Sequence, residues 1–131
     1  MKFKLILMLM LLTAFNLPAQ NEQFFKALHQ VETSGRTGAI YGDQNRSLGM
    51  YQISKPYWLD ATEKRPDLRK QGYGRVVEEA YAQQIVRLYM KRYCKGGTVE
   101  QMARCHNSGW NWRKKYHLTD NYWNKFKKHL K

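Results

Sequence analysis

Glu32 and Asp43 are the two carboxylates whose neighbours suit bond-breaking chemistry, and both lie in the stretch VETSGRTGAIYGDQNRSLGMYQISKPYW, Val31 to Trp58. Upstream, Phe25 and Leu28 stand three apart and Glu32 follows four later, so on a helix this carboxylate continues the apolar stripe. Thr33, Ser34 and Gly35 continue a helix poorly and Gly35 suits a C-terminal cap, which sets Glu32 beside the negative end of the helix dipole. Apolar burial and a negative dipole both disfavour ionisation, and a carboxyl kept protonated near neutral pH can protonate a glycosidic oxygen. The same pattern also fits an ordinary glutamate at a fraying helix end. Asp43 falls in the turn sequence Gly42-Asp43-Gln44-Asn45, between AIY and GMYQI, which can pair as the two strands of a hairpin. Two carboxylates in one cleft are the usual equipment of glycoside hydrolysis, where roughly 5 to 5.5 Å between them suits a retaining nucleophile and roughly 6.5 to 9.5 Å an inverting water. An aspartate in a turn is equally explained by the turn itself.

Several elements must position this pair. A first helix is expected over Glu22 to Glu32, with Phe24, Phe25, Leu28 and Val31 on its core side. After a hairpin region at Gly38 to Ile53, Ser54 can cap a helix with Pro56 in its first turn, and Pro66, Gly72 and Gly74 then mark a loop. Val76 to Tyr93 has the strongest helical periodicity and should be the central packing helix. Thr98 and Gln101 form a capping pair for a helix that turns Val99, Met102, Ala103 and His106 to one face. Asn107, Ser108 and Gly109 read as a turn, Trp110, Trp112 and Tyr116 as added aromatic surface. A last helix from about Asp120 to Leu130 carries Tyr122, Trp123, Phe126 and Leu130 on its apolar side.

Candidate substrate contacts follow from residue type. The flat faces of Tyr57 and Trp58 suit a sugar ring, although large aromatic groups more often fill a core. Tyr51, Gln52 and Asn107 can hydrogen-bond a glycan, and His106 points inward or into the cleft as a structural or binding residue.

Residues 1–19 carry Lys2 and Lys4, the apolar run Leu5 to Leu12 and then Leu17, Pro18 and Ala19, the order of a secretory signal with cleavage expected after Ala19. The run is short for a membrane span, and no later stretch is apolar enough to cross a bilayer. Residues 20–131 then suffice for one compact catalytic domain. Cys94 and Cys105 are too few for a disulfide scaffold; they can form a single bridge or remain free thiols. No spacing suggests a metal, and no cofactor motif is present. The formal net charge is +13, two of which leave with the signal, so the surface is drawn to polyanions such as an anionic cell wall. The basic residues are spread along the chain, which argues against a specific nucleic-acid partner.

VETSG, SLGMYQISKPYWLDA, ARCHNSG and YWNKFKK resemble, in order, the signature blocks of the invertebrate-type (i-type) lysozymes, the destabilase family. The resemblance covers most of Val31 to Lys128. It implies a lysozyme-like fold, hydrolysis of peptidoglycan β-1,4 bonds, Glu32 as catalytic acid and Asp43 near the second carboxylate, with a gap of one residue between Asp43 and the YQI block. The chain departs from the family pattern at Met50, where the YQI block has proline, at Cys105, where ARIHNGG has isoleucine, and in its few cysteines. HNSG and GMYQIS also resemble the lytic transglycosylases, which cleave the same polymer with one catalytic glutamate. Isopeptide cleavage is suggested by some relatives, but no spacing here shows a nucleophile and base.

The expectation is an α+β, predominantly α, single lysozyme-like domain with a small β-hairpin flanking the active-site cleft. It is a secreted, cofactor-free peptidoglycan glycosidase of antibacterial or digestive use; the alternatives are a lytic transglycosylase and a non-catalytic cationic wall-binding protein.

Overall fold

The computed structural model describes residues 18–131. The signal expected at residues 1–19 lies outside them, except that Pro18 and Ala19 open the first helix. That helix, α1, spans Pro18–Thr33. Three short strands follow, β1 (Tyr41–Gly42), β2 (Ser47–Leu48) and β3 (Ile53–Ser54), in an antiparallel sheet of order β1-β2-β3 with Tyr41 opposite Leu48 and Leu48 opposite Ile53. The remaining helices are α2 (Lys55–Thr62), α3 (Pro66–Arg69), α4 (Glu79–Tyr93), α5 (Val99–Ser108) and α6 (Asp120–Lys127), with 3₁₀ turns at Tyr73–Val77 and Tyr116–Thr119. The chain is thus mainly helical with a small sheet, the expected class. No helix of the described residues is long and apolar enough to cross a membrane.

The sheet has one strand more than the expected hairpin. GMYQ is a tight turn between β2 and β3, in which Gly49 and Gln52 both adopt positive φ (83° and 50°). Gly49 is required there: a Cβ on it would stand 2.6 Å from the Val76 carbonyl oxygen. The central helix also starts later than its periodicity suggests. Glu78 takes an extended conformation (φ −91°, ψ 127°), so Val76 and Val77 lie in the preceding 3₁₀ turn, where Val76 is nevertheless fully buried. Its apolar side chain serves the core from either kind of turn. The loop expected after α2 contains the four-residue helix α3, opened by Pro66 at its first position.

The two expected N-caps form. The Ser54 hydroxyl accepts from the Tyr57 amide at 3.2 Å, and Thr98 and Gln101 make both bonds of a capping box. Helix α5 runs past the expected turn to Ser108, and Gly109 (φ 88°) ends it.

Helix α4 packs on α2 and α5, while α6 lies across α1 and α5. Phe24 of α1 meets Phe126 of α6 at a ring separation of 5.5 Å, and both are fully buried. Burial of such a ring contributes about 1.5–3 kcal/mol, so this contact fixes the last helix on the first. Trp112 belongs to this core rather than to an aromatic surface: it is buried and its Nε1 donates to the Tyr93 carbonyl at 3.0 Å. Trp110, two residues earlier, is exposed.

Candidate active site

Glu32 occupies the last turn of α1, with 16% of its side chain exposed. The helix end that carries it is tied down on three sides. Ser34, not Gly35, is the first residue in the left-handed region (φ 53°), and its amide donates back to the Gln30 carbonyl at 2.9 Å. The buried Thr33 hydroxyl lies 3.1 Å from each of the carbonyls of His29, Arg36 and Met50, joining α1 to the turn before β3. Glu32 therefore has little freedom to leave the interior.

Two other helices reach the same carboxyl. Tyr122 of α6 donates its hydroxyl to Glu32 Oε1 at 2.6 Å, and His106 Nε2 of α5 stands 3.7 Å from that oxygen. Desolvation raises the Glu32 pKa to about 7, against a smaller lowering by the Tyr122 hydrogen bond. Burial raises the Tyr122 phenol well above its usual value, so it stays a donor.

His106 does not act as a cation toward Glu32. Its Nε2 lies 2.8 Å from the Tyr51 carbonyl, a group that only accepts, so Nε2 carries the hydrogen. The neutral ring then accepts at Nδ1, where the Tyr57 hydroxyl donates at 3.0 Å. Burial lowers the His106 pKa to about 4, opposed by the Tyr51 bond. At neutral pH the 3.7 Å approach is consequently no ion pair. Among the described residues, Glu32 has no charged partner that would favour its ionised form.

The structure brings Glu32, His106, Tyr57 and the Tyr51 carbonyl together and places the other expected residues differently. The Tyr57 ring stacks on Tyr89 at 3.6 Å, and the buried Trp58 donates Nε1 to the Tyr81 hydroxyl at 2.9 Å. Both support the site from inside the core instead of offering a free face to a sugar, because a ring already packed on protein has no face to give. Tyr51 is likewise buried, its ring 5.3 Å from that of Phe25 and its hydroxyl bonded to Gln83. The Gln52 amide donates to the Ile40 and Gly49 carbonyls at 3.0 Å and fills the space beside Gly42, which braces the sheet. Asn107 is exposed near the end of α5. Asp43 stands at the β1–β2 turn, its side chain 65% exposed and paired to Arg46 at 3.2 Å. Cys94 and Cys105 are buried free thiols hydrogen-bonded to each other; this contact holds Cys94 below and pushes Cys105 above the usual thiol range.

Tyr122 is the site residue that periodicity alone missed, having assigned it to an apolar face. A tyrosine in such a stripe buries a polar tip that needs a partner, and that was the available signal. Its helix is aligned by Arg104, whose Nη1 donates to the Tyr116 carbonyl, the Thr119 hydroxyl and the Asp120 carboxylate.

A small α+β domain in which a helix end delivers one buried, protonatable carboxyl beside a short antiparallel sheet has the character of a lysozyme-like hydrolase. The family model described as Destabilase matches residues 21–129. The chain belongs to this family, the i-type lysozymes.

Proposed function

We propose that the protein cleaves the β-1,4 glycosidic bonds of bacterial peptidoglycan, with Glu32 donating a proton to the leaving oxygen as the bond breaks. The observation that carries this reading is the buried carboxyl whose pKa is raised to about 7, so that about half the molecules hold the acidic proton at neutral pH. Family membership supports the reaction class. Asp43 is the second carboxylate of this proposal: it attacks or stabilises the cationic sugar centre while water completes hydrolysis. Asn107, exposed beside His106, is a proposed glycan contact. The signal at residues 1–19 would export the protein, and its positive charge would speed capture of an anionic wall.

Digestion of purified peptidoglycan by wild type and Glu32→Gln, with fragments identified by mass spectrometry, tests this. Reducing-end muropeptides that vanish with the variant are expected. The exposure of Asp43 and its pairing with Arg46 favour a second reading, a lytic transglycosylase needing Glu32 alone, and that reading yields 1,6-anhydro ends. Bacterial killing with intact glycan would remove both and leave a cationic binder.

A further inference from the structure

The two oxygens of the Glu32 carboxyl are not equivalent. Oε1 takes the Tyr122 hydrogen bond at 2.6 Å and is also the oxygen facing His106 Nε2. Among the described residues Oε2 makes no hydrogen bond, and the Glu32 side chain keeps 16% of its surface exposed, so Oε2 is the oxygen left open to solvent. A protonated carboxyl carries its hydrogen on one oxygen and accepts with the other. The Tyr122 hydroxyl has a single acceptor here, Oε1, and losing it would leave a buried donor unsatisfied.

We propose that Tyr122 is a positioning residue for the acid: by occupying Oε1 it assigns the transferable proton to Oε2 and holds that oxygen toward the open side of the site. This rests on Glu32 acting as the general acid. The groups facing Glu32 come from three elements. Tyr122 on α6 supplies the donor; His106 on α5 is neutral with its Nε2 hydrogen directed to the Tyr51 carbonyl; Tyr57 on α2 is a buried phenol spent on His106. Of these, only Tyr122 bonds the carboxyl. Its hydroxyl can therefore fix the rotation of the carboxyl plane, while the other two fix the walls. The link spans 90 positions, from the end of the first helix to the start of the last, so the proton-bearing oxygen is defined only once α6 has docked.

Carbon-13 NMR titration of the Glu32 carboxyl, alongside the pH dependence of kcat on peptidoglycan, tests the assignment in wild type and Tyr122→Phe. Phenylalanine keeps the ring and removes one donor to the ionised form. The Glu32 midpoint is expected to rise by roughly one pH unit, and the alkaline limb of kcat to move up with it. Meanwhile kcat below the midpoint should fall roughly tenfold with KM nearly unchanged, as a freely rotating carboxyl misplaces its proton. If Tyr122→Phe does not fold, 3,5-difluorotyrosine at position 122 strengthens the donor with little change of shape and should lower the midpoint instead. A midpoint that ignores both changes overturns the proposal even if the wild type cleaves glycan. A wild type that cleaves no glycan overturns the hydrolase reading and the positioning role with it, whatever the titration shows.

Discussion

Arg104 in α5 donates Nη1 to the carboxylate of Asp120, the first residue of α6, at 2.7 Å, and its guanidinium lies 4.0 Å over the Tyr116 ring. Tyr122 follows Asp120 by two residues, so this link sets the start of the helix that presents the hydroxyl to Glu32. The arginine side chain is 5% exposed while Asp120 is half exposed. The two ends are therefore unequal: the buried end holds the structure and the open end can exchange its partner for water.

Arg104→Gln is accordingly expected to destabilise the fold by about 3 kcal/mol, since it unties the Tyr116 carbonyl and the Thr119 hydroxyl along with Asp120. Asp120→Asn should cost much less and keep most activity. Chemical denaturation of the two variants checks the order, and equal losses would show that the carboxylate, not the buried guanidinium, is the anchor.

Glu32 and His106 predict opposite pH slopes of stability. The folded pKa of Glu32 is raised from 4.5 to about 7, so the native state holds a proton that the unfolded chain releases, and stability falls as pH rises through that window. The folded pKa of His106 is lowered from 6.5 to about 4, so stability falls as pH drops through its window. Each amounts to about 3 kcal/mol, and between about pH 4.5 and 6.5 they nearly cancel. Wild type should be flat there. Glu32→Gln, whose amide oxygen can still accept from Tyr122, should gain stability with pH up to about 6.5 and exceed wild type at pH 8 by up to about 3 kcal/mol. Parallel curves for the two proteins in denaturant titrations would contradict this.

The paired thiols give a third expectation. Cys94 ends α4 and Cys105 lies in α5 directly before His106, with the sulfurs in contact. A disulfide reagent such as oxidised glutathione should convert them to a bridge in two exchanges, each releasing one glutathione thiol, and lower the protein mass by about 2 Da. Closing so short a loop is worth roughly 3 kcal/mol, so Tm should rise by roughly 10 °C over the reduced form. Stable mixed disulfides in the intact mass spectrum would show that the sulfurs cannot reach bonding geometry.

Much of this site was legible in order along the chain, and the misses share a cause. The inward placement of Glu32 was legible because its carboxylate continues an apolar stripe, and the caps at Ser54 and Thr98 because caps are local hydrogen bonds. His106 was placed facing inward by helical spacing. Tyr57 and Trp58 stayed open between sugar contact and core because residue type cannot tell a ring covered by α4 from one left exposed. The Tyr122 bond to Glu32 joins the first and last helices across 90 positions, a distance over which no periodicity operates. The strand pattern failed at GMYQ because Gly49 answers to the Val76 carbonyl, a neighbour set by the tertiary fold.

Gly49→Ala makes that last point measurable. The glycine sits at φ 83°, where an alanine is strained by about 1 kcal/mol, and the new Cβ would stand 2.6 Å from the Val76 oxygen and 3.2 Å from its carbonyl carbon. Both obstacles are backbone, so relief requires moving either the turn or the 3₁₀ segment, and the total loss should exceed about 2 kcal/mol. The turn that moves carries the Met50 carbonyl, which binds Thr33, and the Tyr51 carbonyl, which binds His106. Activity at a temperature where the variant remains folded should therefore also fall, with kcat affected more than KM, because the glycine holds the walls around Glu32 without touching a glycan. Unchanged kcat in a folded Gly49→Ala protein would mean that those two carbonyl bonds do not position the acid.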